Sequence, residues 1–330
     1  MLRLSTLAIS ALLMATAARA EVLTIYTYDS FISEWGPGPA IQEAFEAQCD
    51  CAIEWTAVED AATLLSRLRL EGDQTRADIV LGLDNNLMAE AQIEGLVQAH
   101  GISLEGLDLP LEWNDPVFVP FDYGYFAVIY DSEAWPIPPA SLHDLVSGAP
   151  EPQIIIQDPR TSTPGLGLLL WMKAVYGPDA GENWERLSER VLTVTKGWSE
   201  AYGLFLEGEA PMVLSYTTSP AYHQIVEGSD RYKAIIFPEG HYLQIEVAAL
   251  VAGSQHADLA REFLSFMITP AFQEIVPTGN WMFPVINIGD ALPQEFLDLP
   301  EPEISLLLGP MEVSRERHQW TKEWLDAMSQ

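Results

Sequence analysis

The sequence predicts an α/β fold in two lobes, each lobe a mainly parallel sheet covered by helices, with two long strands crossing between them. Three observations point there. From Val22 to Gly95, short apolar runs alternate with segments of helical period, a β-α-β-α-β-α order that implies parallel strands joined by crossover helices. A second strand–helix set spans Ser141 to Phe237. Two unusually long strand-like runs, Phe118–Asp131 and Tyr242–Gly253, supply the two crossings. An enzyme with two α/β domains has the same pattern at this level.

The elements follow in order. Val22–Thr27 is strand-like, and Pro39–Gln48 carries Ile41, Ala44, Phe45 and Gln48 at helical spacing. Ala52–Ala57 is a second strand. Asp60 caps a helix over Ala61–Leu70, where Leu64, Leu65 and Leu68 recur with helical period. Ala77–Leu83 is continuously apolar and so buried on both faces; Leu87–Gly95 is a helix. Leu107–Pro120 is proline-rich and irregular. In the second set, helices are expected at Ser141–Val146, Pro164–Tyr176 and Trp184–Val191, and strands at Ile154–Gln157, Ala210–Ser215 and Tyr232–Phe237. Helices at Asp258–Met267, from Pro270, and an amphipathic one at Glu312–Met328 close the chain. The expected division is 1–20 as a signal peptide, 21–120 as the first part of lobe 1, 121–245 as lobe 2, and 246–330 as a return to lobe 1 whose C-terminal helices pack across the hinge.

Arg3, the apolar run Leu4–Ala17 and Ala18-Arg19-Ala20 have the n-region, h-region and small-x-small cleavage site of a secretory signal. Cleavage near Ala20 would leave a mature chain starting near Glu21, and the absence of a lipobox Cys points to a free periplasmic protein. No other stretch is apolar for the ~20 residues a membrane span needs. The formal net charge of −32 becomes −34 once Arg3 and Arg19 are removed, which excludes a nucleic-acid binder and favours cationic ligands, although acid spread along the chain also serves solubility. Cys49 and Cys51 can close only a very short disulfide loop, with little entropic stabilisation.

Candidate chemistry gathers in four loops. Ala210–Ser215 runs into Tyr216, Thr217, Thr218, Ser219 and Pro220, past a strand's C-terminal end where open α/β sheets bind ligands, with Trp198 and Tyr222 flanking. Tyr28–Pro39 and Asn280–Pro284 add Tyr28, Trp35 and Trp281, flat faces that attract a cation by ~0.5–2 kcal/mol each. Core packing explains any one of these aromatics equally well. At Asp158–Gly167, Ser162 or Thr163 caps a helix with Pro164 in its first turn, and its free amides offer an anion site; a plain helix cap accounts for the same residues. Asp60, beside Glu59, is a second cap. The six His are scattered, and no G-x-S-x-G elbow or Walker loop occurs. Stacking surfaces are plentiful and catalytic pairs scarce, which favours binding over catalysis.

Eight stretches carry a resemblance: YTYDSF with WGPGP (Tyr26–Pro39), LLSRLRLEG (Leu64–Gly72), ADIVLGLDNNL (Ala77–Leu87), FVPFDYGYFA (Phe118–Ala127), QDPRTSTPGLGLLLWM (Gln157–Met172), TVTKGWSEAYGLFLEGE (Thr193–Glu209), VLSYTTSPAYH (Val213–His223) and PTGNWMFPV (Pro277–Val285). Over essentially the whole mature length the chain resembles the thiamine-binding type 2 periplasmic solute-binding proteins of bacterial ABC importers. The resemblance implies thiamine or its mono- and diphosphate held between two lobes and delivered to a membrane permease, with no cofactor and no catalysis. It places Asp60-Ala61, Ser162, Thr163, Trp198 and Tyr216 to Ser219 around the ligand, with Tyr28, Trp35, Tyr222 and Trp281 completing the aromatic walls. Ala61 departs from the Gly expected there, and would be strained if its φ were positive. Two alternatives stay open: a ferric-iron binding protein of the same fold using Tyr216 and Tyr222, and an extracytoplasmic enzyme acting on thiamine compounds.

Overall fold

The computed structural model describes residues 20–329; the signal-peptide reading of Arg3 to Arg19 lies outside the described residues. The strands are β1 (Glu21–Tyr28), β2 (Cys51–Val58), β3 (Ile79–Asp84), β4 (Val97–Gln98), β5 (Phe118–Asp131), β6 (Ile154–Gln157), β7 (Val191–Thr195), β8 (Met212–Tyr216), β9 (Tyr232–Ile235), β10 (His241–Val251), β11 (Phe283–Pro284) and β12 (Ser305–Leu306). The helices are α1 (Gly38–Glu46), α2 (Ala61–Glu71), α3 (Met88–Ile93), α4 (Leu142–Ser147), α5 (Thr163–Tyr176), α6 (Ala180–Ser188), α7 (Trp198–Leu206), α8 (Ser219–Tyr222), α9 (Ala257–Phe266), the short α10 (Pro270–Gln273), α11 (Val276–Gly279) and α12 (Gln294–Leu297), and α13 (Pro310–Met328).

The main strand order is β2-β1-β3-β10-β5-β8-β6-β7. In the first lobe β2, β1 and β3 are parallel, and β10 closes them antiparallel. In the second lobe β7, β6 and β8 are parallel, and β5 closes them antiparallel. The two halves of β5 serve different neighbours: Phe118–Tyr125 pairs with β10, and Phe126–Tyr130 pairs with β8. One covalent strand therefore runs through both lobes, with β10 antiparallel beside it.

Apolar periodicity sets what each layer buries. Leu23, Ile25, Phe31, Ile41, Phe45, Phe121 and Phe263 form one core between the first sheet, α1 and α9. A second core joins Leu64, Leu65 and Leu68 of α2 to Leu166, Leu169, Trp171, Trp184 and Trp324. The C-terminal α13 touches both lobes: Arg317 Nη2 donates to Glu90 Oε2 of α3 at 2.7 Å, and Lys173 Nζ of α5 donates to Glu323 at 2.8 Å.

Two sequence expectations need correction. The helix read over Trp184–Val191 ends at Ser188, and Val191–Thr195 is a strand whose β-branched VLTVT pairs parallel with β6. Trp198–Leu206, to which the sequence reading assigns no element, is a helix; Ala201, Tyr202 and Phe205 bury themselves against the second sheet, so tertiary packing fixes a segment of modest propensity. Ala61 lies in the first turn of α2, and Trp281 is the sole non-glycine residue with positive φ among the described residues, so the expected strain at Ala61 is absent. Cys49 and Cys51 are disulfide-bonded.

Candidate functional site

A cavity of about 370 Å³ opens between the lobes. Its walls are aromatic. Tyr28 comes from the end of β1, Trp35 from the following loop, Trp198 and Tyr202 from α7, Tyr216 from the end of β8, Tyr222 from α8 and Trp281 from the loop after α11. Asp60, Glu59 and Glu246 supply negative charge, and Ser30, Ser199 and Ser219 supply hydroxyls. Among the described residues no Lys or Arg lines the cavity.

Each aromatic is held by contacts that the local sequence provides. Trp198 stacks on Tyr202 with ring centroids 5.0 Å apart and donates through Nε1 to Ser215 Oγ at 2.8 Å; Ser215 Oγ in turn bonds Ser219 Oγ at 2.7 Å. The Tyr202 hydroxyl meets His223 Nε2 at 2.9 Å, and His223 Nδ1 meets Glu227 at 2.8 Å, so a buried polar chain stands behind this wall. Trp35, 55 % exposed, approaches Trp198 from the other lobe at 6.4 Å. Tyr222 stands edge-on to Trp281 at 5.1 Å. Trp281 has φ 57°, a conformation costing a bulky residue ~1–3 kcal/mol, and it persists because both neighbours are pinned: Asn280 is bonded into the cavity floor and Met282 is buried.

Tyr28 lies flat across β3 only because position 82 is glycine. A Cβ on Gly82, whose φ is +100°, would sit 2.4 Å from the Tyr28 ring. From there the Tyr28 hydroxyl donates to Glu246 Oε2 at 2.7 Å. Asn280 Nδ2 bridges Tyr28 Oη at 2.9 Å and Asp122 Oδ2 at 2.6 Å. Burial raises the Tyr28 hydroxyl well above its usual range, and the neighbouring Glu246 and Asp122 carboxyls add to the rise.

Asp60 heads α2 and accepts Ala61 N at 2.9 Å. It also accepts Ser162 Oγ at 2.9 Å and Thr163 Oγ1 at 2.5 Å, both from the start of α5 in the other lobe. Burial raises the Asp60 carboxyl, and the Thr163, Ala61 and Ser162 hydrogen bonds pull it back. This changes the anion-site expectation. Ser162 is the N-cap residue of α5, but its side chain makes no cap bond, and both hydroxyls are spent on Asp60. A carboxylate of the protein itself occupies the place proposed for a ligand anion.

Of the residues singled out by sequence, Tyr28, Trp35, Asp60, Trp198, Tyr216, Ser219, Tyr222 and Trp281 come together at the cavity. Ala61, Ser162, Thr163, Thr217 and Thr218 are buried behind its surface. Thr217 N is bonded to Tyr125 O at 2.9 Å, and Thr218 Oγ1 faces Met282 Sδ at 3.8 Å. Sequence reasoning missed Tyr202, Glu246, Asn280 and Met282. Glu246 had a detectable signal only as an acidic break in the apolar run Tyr242–Gly253, and Tyr202 only as one more aromatic beside Trp198.

Comparisons with known proteins agree with this geometry. The family model of bacterial extracellular solute-binding proteins matches residues 36–274. A thiamine-binding periplasmic protein of Brucella abortus is 57 % identical over 317 residues, covering 96 % of this chain and 95 % of its own. That of Escherichia coli is 54 % identical over 308 residues, covering 93 % and 94 %. A solved periplasmic thiamin binding protein superposes with a TM-score of 0.92 at 54 % identity, over 94 % of this chain and 97 % of that one. Iron-bound HitA from Pseudomonas aeruginosa shares the fold, with a TM-score of 0.75 at 17 % identity over 93 % of this chain and 99 % of that one. With its two-lobed fold, its cleft between the lobes and this extent of likeness, the chain belongs to the bacterial extracellular solute-binding proteins, in the same family as these thiamine-binding periplasmic relatives.

Proposed function

We propose that the protein captures thiamine in the cleft between its lobes, in the periplasm, and delivers it to the permease of an ABC importer. The observation that carries this reading is the cavity itself: about 370 Å³, walled by aromatic rings and floored by acid, with no basic side chain among the described residues that line it. Thiamine is a flat aminopyrimidine joined to a permanently cationic thiazolium. The rings suit stacking on Trp198, Tyr28 and Tyr222, and the cation suits both the π-faces and the carboxyls. A volume in the lower part of the usual ligand-pocket range matches a single small bicyclic ligand.

The phosphates of thiamine extend the reading. A tail reaching the rim meets Lys196, whose Nζ stands 3.5 Å from Glu59, and the start of α7, whose N-cap Gly197 offers no side chain to its free amides. We place the lobe boundaries near Pro120 and Ile245, where β5 and β10 lie side by side. The signal-peptide reading of the first twenty residues supports export. The ferric-ion alternative has less support: the iron-bound neighbour is only 17 % identical, against 54 % for the thiamin-binding structure.

The test is calorimetric titration of unfolded-and-refolded, ligand-free protein with thiamine. Saturable binding of one thiamine per chain is expected; its absence in correctly folded protein overturns the reading.

A further inference from the structure

Glu246 of β10 stands directly opposite Asp84 of β3 on one side and Asp122 of β5 on the other, so three carboxyls form a row across three strands. Like charges facing each other on neighbouring strands are destabilising. Asp84 is provided for: it accepts Asn86 N, Asn86 Nδ2 and Leu87 N at 3.1, 2.7 and 3.1 Å. Asp122 and Glu246 accept only from side chains among the described residues. Both are buried, at 0 % and 7 % exposure, and neither forms an ion pair with any Lys, Arg or His among the described residues. Tyr28 and Gln244 donate to Glu246 at 2.7 and 2.9 Å, and Asn280 donates to Asp122 at 2.6 Å. Asp122 Oδ1 and Gln244 Oε1 are buried and meet no hydrogen-bond donor among the described residues. Glu246 alone of the two acids reaches the cavity surface.

Two neighbouring carboxylates cannot both stay ionised at such depth without a cation. We propose that Glu246, backed by Asp122, is the cation-selecting group of this cleft: the pair holds one proton between its carboxyls while the site is empty and releases it to solvent when a cationic, hydrogen-bond-donating ligand settles on Glu246. Charge balances in that exchange, one positive ligand entering as one proton leaves. Burial pushes both carboxyls upward, in the direction the exchange requires; the Asp122 charge adds to the rise on Glu246, while hydrogen bonds with Asn280 and Glu246 pull Asp122 part of the way back. The other titratable groups facing Glu246 are Tyr28 from β1, Asp84 from β3, Asp60 at the head of α2 and Tyr216 from β8. All four are acids or phenols, so none supplies the missing positive charge. The inference rests on the thiamine reading for the identity of the probe.

The experiment is titration of the mature chain with thiamine between about pH 6 and about pH 8.5, in pairs of buffers with different ionisation heats. In wild type, up to one proton is released per thiamine, and affinity rises with pH by up to ~tenfold per unit until the pair is ionised. Glu246→Gln weakens thiamine by ~tenfold or more and abolishes proton release. Asp122→Asn leaves Glu246 ionised and flattens the pH profile; folding of both variants is checked by circular dichroism. A wild type that binds thiamine with equal heats in both buffers and a flat profile overturns this inference alone, as does a folded Glu246→Gln that binds like wild type. A wild type that takes up no thiamine in any buffer overturns the thiamine reading and this inference with it.

Discussion

Ser162 Oγ donates to Asp60 Oδ2 across the cleft at 2.9 Å, so a side chain at the head of α5 in one lobe is fastened to the head of α2 in the other. Thr163 adds a second hydroxyl to the same carboxyl. At the rim, Lys196 Nζ lies 3.5 Å from Glu59 Oε1, and Thr63 Oγ1 donates to Thr161 O at 3.4 Å. A buried hydrogen bond to a charged group contributes more than these exposed contacts. The Asp60 bonds are therefore the main direct polar link across the mouth of the cleft, apart from the α13 ion pairs behind it.

Replacing both hydroxyls, Ser162→Ala with Thr163→Val, leaves Asp60 with its α2 amide but without its partners in the other lobe. The ligand-free variant is expected to have a larger radius of gyration by small-angle X-ray scattering, and to lose ~1–3 kcal/mol of stability. An unchanged scattering profile would show that the lobes are held by other contacts.

The same double variant separates the two views of this motif. With both hydroxyls committed to Asp60, it should weaken thiamine and thiamine monophosphate to a similar degree. Lys196→Gln should weaken the monophosphate only, several-fold and less so at high salt, because the Lys196 side chain is exposed. Calorimetry on both ligands decides; a loss confined to the phosphate ester in the double variant would restore the anion site at Ser162 and Thr163.

Trp198 presents one face to the cavity while Tyr202 backs the other. Trp198→Ala removes a stacked, cation-attracting surface, and thiamine affinity should fall by ~1–3 kcal/mol with little change in secondary structure. Undiminished binding in a folded variant would take Trp198 out of the site.

Gly82→Ala tests how the cavity floor is built. The new Cβ would overlap the Tyr28 ring at 2.4 Å, on a backbone whose φ of +100° already disfavours alanine. Tyr28 must move, and its bond to Glu246 goes with it. A stability loss of ~1–3 kcal/mol with weaker thiamine binding is expected. Chemical unfolding and calorimetry together check it, and a neutral result on both would mean that Tyr28 is free to shift.

Stability should also depend on pH through the floor. Asp122 and Glu246 have values raised by burial, so their contribution is present below the ordinary carboxylate range and is lost as pH rises through their folded values. Ligand-free protein should therefore be less stable at about pH 9 than at about pH 7, by up to ~1.4 kcal/mol per pH unit for each proton lost. His223 and His241, both lowered by burial, oppose this only weakly: unfolded they are about a quarter protonated at pH 7 and neutral by pH 9, so each adds at most ~0.2 kcal/mol of stability across the window. Asp84, raised to about 6, is already ionised there. Urea unfolding of wild type and Asp122→Asn at the two pH values is the measurement. Equal pH dependence in both proteins would contradict this assignment.

Much of the framework was legible in the chain. Leu64, Leu65 and Leu68 marked α2 by period, Asp60 and Gly72 mark its ends, and the unbroken apolar run at β3 announced a strand buried on both faces. These signals are local, so they survive without knowledge of neighbours. The strand β7 and the helix α7 were less legible, because half-exposed VLTVT and aromatic-rich WSEAYGLFL take their conformation from what they pack on.

The sequence by itself determined the two-lobed α/β order, the long strands at Phe118 and His241, the export signal as an expectation and the set of aromatics available for stacking. Periodicity and capping act over a few residues, and the chain alone displays them. Only the tertiary structure decided that the Ser162 and Thr163 hydroxyls face Asp60 rather than open solvent, and that Glu246 stands opposite Asp122. The first pair is separated by about a hundred residues and the second by more. Such contacts depend on strand register and on the approach of one lobe to the other, which no local pattern encodes.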